Sequence, residues 1–260
     1  MEIRWNFSVF PFATFADFAR GNVLDPLSGF DKRANLLSSH RMKYLSFAAL
    51  GAVLLFSGCE TMGIKKTYDQ PAYKPKDPSA VRVKVSLNKE MVYVMEGNRP
   101  LLVTACSVGL PGHTTPKGSF TAYEKIPNKR SGAYGFYVRG DQIVAADVEA
   151  RPQGGGWRYV GYPMPYWVGF SPGYGFHEGF VWPIPRTHGC LRLHKNDAGD
   201  FYSLVKIGTP INIANTQPED ATLGAKFVRP DDYKDPDPPK SLMISSKIFE
   251  TMKPGELIVQ

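Results

Sequence analysis

The strongest constraint on the fold is a set of three short apolar runs separated by turn residues. "VRVKVSL" (Val81 to Leu87) alternates apolar and polar, "MVYVM" (Met91 to Met95) follows across "NKE", and "LLVTACSV" (Leu101 to Val108) follows across "EGNRP". Such runs are predicted to form an antiparallel meander. "GSFTAYE" (Gly118 to Glu124) adds a fourth strand. Residues 125–165 are rich in Gly and aromatics, and "GAYGFYVRG" and "IVAADV" read as strands around a long loop; a long loop in a compact domain is functional or disordered. Beyond it, "YWVGFS" leads to His177, Asn196 is placed to cap a short helix over "DAGDFYSLVK", and the turn "GTP" leads to a last strand, "INIA". The expected class is mainly β with one or two short helices.

Composition bears on partners. A chain of 260 residues with 43% apolar residues can bury a core, and its net charge of +7 points toward anionic partners. There is no Lys/Arg run of the kind that tracks a phosphate backbone, so nucleic acid is not expected.

The compartment is read from residues 42 to 59, "MKYLSFAALGAVLLFSGC". A Met-Lys pair, a twelve-residue, mainly apolar run from Leu45 to Phe56 and small residues before Cys59 are too short for a spanning helix and suit the core of a secretory signal. The ending "LFSGC" resembles a bacterial lipoprotein lipobox, with Phe56 where a smaller aliphatic residue is usual. The resemblance implies lipidation at Cys59, a periplasmic protein held to a membrane through that lipid and, with Glu60 following, delivery to the outer membrane. Residues 1–41 then read as a mis-called extension, 42–58 as the signal, 59–80 as a polar, Pro-bearing tether and 215–260 as an extended, weakly ordered Pro/Asp-rich tail. Removing residues 1–58 takes away six Lys/Arg and four Asp/Glu, so the basic balance survives processing.

Chemistry concentrates around "RTHGCLRLH" (Arg186 to His194), with His177 nearby. Three histidines and a thiolate are a donor set that Zn²⁺ accepts. Against a metal site stand the lack of a C-x-x-C partner and the i, i+2 spacing of His188 and Cys190. In the alternative, Cys190 is a nucleophile paired with a histidine base, the imidazolium protonates a leaving amine, and Gly189 lets backbone N–H groups turn toward an oxyanion.

"HEGFVWPIPRTHGCLRL" (His177 to Leu193) resembles the signature of the L,D-transpeptidase (YkuD-type) catalytic domain: a first His, a spacer, then Ser/Thr-His-Gly-Cys, a hydrophobic residue and Arg. "SVGLPGHTTPKGSF" (Ser107 to Phe120) is similar to the family's Thr-Pro-x-Gly-x-Phe segment, and the resemblance covers 81–214 as the catalytic domain. It implies a compact YkuD-like β-sandwich in which Cys190 attacks a peptidoglycan tetrapeptide stem between diaminopimelate and D-Ala. A thioester forms, and an acceptor amine, in some cases that of a wall-anchored lipoprotein, resolves it. Carried over by position, His177 is the base, Cys190 the nucleophile, His188 and Gly189 the oxyanion-side residues, Thr187 the Ser/Thr of the motif and Arg192 a substrate-carboxylate or structural cation. No cofactor and no metal is implied. Glu178 departs from the small residue usual after the first His. His194 reads as a surface or capping residue, and Cys106 as a small buried hydrophobe, a Cys106–Cys190 disulfide being disfavoured because it would consume the nucleophile. "SLVK" and "SLNK" both fit the S-x-x-K of serine penicillin-binding enzymes, but neither S-D-N nor K-T-G occurs. Two rivals share the reading: a hydrolase or carboxypeptidase using the same acyl-enzyme, and a non-catalytic peptidoglycan-binding module.

Overall fold

The structure, a computed structural model, describes residues 68–150 and 155–260. Cys59, the lipobox-like stretch and the first 41 residues lie outside the described residues. The meander forms as expected: β1 (Val81–Ser86), β2 (Met91–Glu96) and β3 (Arg99–Ser107) are antiparallel neighbours, with Val83 opposite Val94 and Val94 opposite Leu102. The other strands are β4 (Gly118–Thr121), β5 (Glu124–Arg139), β6 (Gln142–Glu149), β7 (Arg158–Ser171), β8 (Tyr174–Glu178), β9 (Leu191–Leu193) and β10 (Pro210–Ala214). All ten join one mixed sheet in the order β4-β10-β1-β2-β3-β9-β8-β7-β5-β6. The two α-helices, α1 (Lys195–Leu204) and α2 (Lys240–Ile244), are short.

Both halves of the sheet fold over one core. Val83 and Val85 of β1, Val92 and Val94 of β2, Val168 and Phe170 of β7, Phe176 of β8 and Phe201 and Leu204 of α1 belong to a single buried cluster. β2 reads as a continuous apolar run because both its faces are covered. Val92 and Val94 face that core, whereas Met91, Tyr93 and Met95 pack under Leu223 and Phe227 of the C-terminal segment.

Four expectations are corrected. The strands expected at "GAYGFYVRG" and "IVAADV" form, as the end of β5 and as β6, but among the described residues of 125–165 there is no long loop around them: β5 and β7 are strands of 16 and 14 residues that pair along their length. Their register jumps between Arg130 and Gly135, which shifts the phase of the alternation and hides the strands from a period-2 reading. The cap of α1 is His194, whose Nδ1 accepts from the Asn196 N–H at 3.1 Å, so Asn196 lies inside the helix, and of the two readings of His194 the capping one holds while the surface one does not, the residue being buried. The end of the expected tether is part of the domain: Ala72 is buried, Tyr73 pairs with Ile258, and the Tyr68 ring meets His194 edge-on at 4.6 Å.

The segment 215–260, expected to be extended, is ordered through its own side chains. Arg229 donates to the carbonyls of Lys89, Glu90, Cys106 and Trp182 and pairs with the Glu90 carboxylate at 3.0 Å. Asp232 accepts from the Val181 N–H, and Met243 and Ile244 of α2 pack on Phe136 and Val160. Prolines and acids here serve short 3₁₀ turns (Pro218–Ala221, Asp232–Lys234) instead of solvated coil.

Candidate active site

β8 and β9 run parallel, with Phe176 opposite Leu191 and His177 opposite Arg192. Phe176 and Leu191 enter the main core, so alternation sends His177 and Arg192 to the other face, together with Cys190, two residues before Arg192. Strand rise and spacing put the Cα atoms of His177 and Cys190 roughly 8 Å apart, within reach of two side chains leaning toward each other.

The turn ahead of β9 is tied by Thr187, which is buried. Its hydroxyl accepts from the Gly189 N–H at 3.0 Å and donates to the Cys190 carbonyl at 2.6 Å. Gly189 has φ +105°, and a Cβ there would sit 2.4 Å from the Tyr174 ring, so both backbone conformation and space require glycine. The Ser107 to Phe120 segment is the partner of this turn. The Val108 carbonyl accepts from the Arg186 and Thr187 N–H groups, and Leu110 N–H donates to the Thr187 carbonyl. Thr115, also buried, accepts from the Gly109 N–H at 3.0 Å. Two motifs about seventy residues apart in sequence thus form one wall.

His177 is fixed in tautomer. Its Nδ1 lies 2.7 Å from the Glu178 carbonyl, which can only accept, so Nδ1 carries the hydrogen and Nε2 keeps its lone pair. The Trp167 ring stacks beside it, 6.3 Å between centroids and 28° from parallel. Trp167 is in turn held by its indole N–H on the Glu124 carboxylate at 2.6 Å, which also takes Lys129 at 2.8 Å. Burial, and next the Arg192 charge, bring the His177 imidazole down to about 4. Burial pushes the Cys190 thiol up from its ordinary value, against the smaller lowering effects of the Gly175 N–H, Arg192 and Lys129. The buried site favours the neutral form of both partners at rest, because burial penalises each charged form.

His188 is placed differently. It is exposed, and its ring lies among His113 (4.6 Å between centroids) and Tyr134 (4.9 Å) at the rim of the turn. Arg192 is largely sequestered, and its stem crosses Gly179 so closely that a Cβ there would meet Cδ at 2.9 Å. Among the described residues it donates no hydrogen bond and joins no ion pair, which leaves its fork free beside Cys190. Glu178 faces the opposite way; burial raises its carboxyl to about 7, and its Oε2 has no partner among the described residues. Cys106 is buried in the main core and, like Cys190, is a free thiol. No group of three or more His, Cys, Asp or Glu side chains able to hold a metal occurs among the described residues. Trp167, Lys129 and Tyr174 were not singled out from sequence; they lie on β5, β7 and β8 with no motif spacing to mark them.

No curated protein matches the chain. Among solved structures, similarity extends to an L,D-transpeptidase from Stackebrandtia nassauensis (21% identity, TM-score 0.39, covering 59% of this chain and 63% of that one). An L,D-transpeptidase from Mycobacterium smegmatis matches at 21% identity and TM-score 0.41, covering 52% and 58%. L,D-transpeptidase 1 of Mycobacterium tuberculosis matches at 22% and 0.36, covering 52% and 61%. The alignment thus spans less than two thirds of each of these chains. The model of the L,D-transpeptidase catalytic domain, YkuD, matches residues 80–213, just over half of the sequence, and the chain therefore belongs to the YkuD L,D-transpeptidase catalytic domain family.

Proposed function

We propose that the protein is a cysteine L,D-transpeptidase of peptidoglycan, with Cys190 as nucleophile and His177 as general base. The observation that carries this reading is the common face of His177, Cys190 and Arg192, with Nδ1 of His177 bound to the Glu178 carbonyl and Nε2 left to take a proton. His177 Nε2 removes the Cys190 proton as sulfur attacks the carbonyl carbon of the amide between diaminopimelate and D-Ala. The oxyanion faces the backbone N–H groups of His188 and Cys190, the Gly189 N–H being engaged by Thr187. The tetrahedral intermediate collapses, the C–N bond breaks, and the departing D-Ala amine takes the proton back from His177. An acceptor amine then attacks the thioester and loses its proton to His177, and the thiol is restored. Arg192, which joins no ion pair among the described residues, takes a substrate carboxylate.

The acceptor is a second stem peptide or a wall-anchored lipoprotein amine, and the enzyme works in the periplasm, held at the outer membrane through a lipid on Cys59. Incubating the full chain with a disaccharide-tetrapeptide and weighing the products tests the reading. A cross-linked dimer supports it, the tripeptide product supports the hydrolase or carboxypeptidase reading, and unchanged substrate supports the non-catalytic one.

A further inference from the structure

A second site is formed by the β5–β7 ribbon, where Arg130 and Arg158 line a depression that does not include Cys190, His177 or Arg192. Between Arg130 and Gly135 four residues of β5 stand against one of β7, and beside this bulge lies an open depression of about 460 Å³. Its walls are Arg130, Ser131, Arg158 and Tyr159 from the two strands and Ile244 and Ser246 from the C-terminal segment. The sequence commits specific residues to this shape. A Cβ on Gly161 would lie 1.8 Å from the Ser131 carbonyl oxygen, and one on Gly135 would lie 2.2 Å from that of Val160, so the close backbone approach that forms the bulge needs glycine on both strands.

The C-terminal segment is fastened over the same place. Arg130 donates to the carbonyls of Gly161 (3.0 Å), Met243 (2.7 Å) and Ser245 (2.8 Å), and its guanidinium stands 5.1 Å from the Phe249 ring. Those contacts orient Arg130 but do not neutralise it. Arg158 is exposed, and among the described residues neither guanidinium has a carboxylate partner. Two like charges therefore line the same depression, and the Arg158 charge acts on Arg130. An anion entering there relieves the repulsion between the two cations, and guanidinium forks match the oxygen geometry of phosphate monoesters and diesters alike.

We propose that the depression lined by Arg130 and Arg158 is a binding site for a phosphate group, carried by free phosphate or by an anionic lipid headgroup. Arg158 supplies the movable fork, Arg130 the fixed one, and Ser131 a hydroxyl.

The test uses the full chain with two probes at constant ionic strength: inorganic phosphate by titration calorimetry, and phosphatidylglycerol vesicles by co-sedimentation against phosphatidylcholine. Arg158→Gln should weaken binding at least tenfold, whereas Lys226→Gln, which removes the same charge from an exposed position elsewhere, should leave it unchanged. Saturable phosphate binding lost in Arg158→Gln identifies a free-phosphate site. Binding to anionic vesicles alone, lost in the same variant, identifies a headgroup site. The proposal is overturned if neither probe binds, if Arg158→Gln binds like the parent, or if Lys226→Gln weakens binding as much as Arg158→Gln does.

Discussion

The protonation state of the resting thiol is open to direct measurement through the pH dependence of Cys190 alkylation by iodoacetamide, with peptide mapping to separate it from Cys106. Iodoacetamide reacts with the thiolate, so its rate follows the ionised fraction. Burial holds the thiol above its ordinary value of 9.0, so at pH 7 no more than about 1% is ionised, and the rate should climb nearly tenfold per pH unit and about 50- to 100-fold from pH 7 to pH 9. A thiolate–imidazolium pair would behave otherwise: with His177 protonated as the counter-ion, the rate would be flat from about pH 5 to 8 and high throughout. The variants sharpen the contrast. His177→Ala should leave the alkylation profile in place while abolishing acylation by substrate, since the proposed mechanism uses His177 as a base in the transition state and not as a resting counter-ion. Arg192→Met should move the profile to higher pH, because Arg192 is one of the cations holding the thiol down. A plateau at neutral pH that disappears in His177→Ala would refute the neutral-pair mechanism.

Gly189→Ala forces a Cβ into the Tyr174 ring at a φ of +105° and should cost about 2 kcal/mol or more of stability together with nearly all acylation of Cys190, read by thermal unfolding and intact mass. Glu178 has a folded-state pKa raised to about 7 by burial, so relative to a neutral side chain it weakens the fold as pH rises from about 4.5 through 7. Glu178→Gln should therefore gain up to about 3 kcal/mol on wild type at pH 8 and nothing at pH 4, measured by urea unfolding at both pH values; an equal change at both would contradict the linkage. Cys59→Ser should abolish incorporation of labelled fatty acid and leave an unprocessed precursor; label retained in that variant would remove the lipid anchor from the proposal.

What could be read in the sequence follows from how locally each feature is encoded. β1 to β3 are legible because their turns are short, β1 alternates and β2 and β3 are compact apolar runs, and the 187–190 turn is legible because its Thr, Gly and Cys fall within four consecutive residues. β5 and β7 are not, since a four-residue excursion at Ser131 to Tyr134 breaks the period and aromatics occupy both faces. Asn196 is a better cap by residue preference than His194, yet the Tyr68 ring and the Asn196 N–H place His194 at the cap, a tertiary effect that no local rule contains. The neutral thiol was equally hidden: residue types name a nucleophile and a base, but their charges depend on how much water the folded sheet excludes.

The parallel pairing of β1 with β10 has a consequence for how the chain reaches its native state. Val83 lies opposite Ile211, so a central ladder of the sheet closes a loop of roughly 130 residues, at an entropic cost of about 4 kcal/mol before any contact in it contributes. The β1–β3 hairpins can form as soon as they are made, but β1 then waits with an unpaired edge until residues past 210 arrive, and Tyr73 waits for Ile258. Folding is thereby late and collective, on the slow side for a chain of this size, and β1 is the edge through which an immature copy would pair with its neighbour.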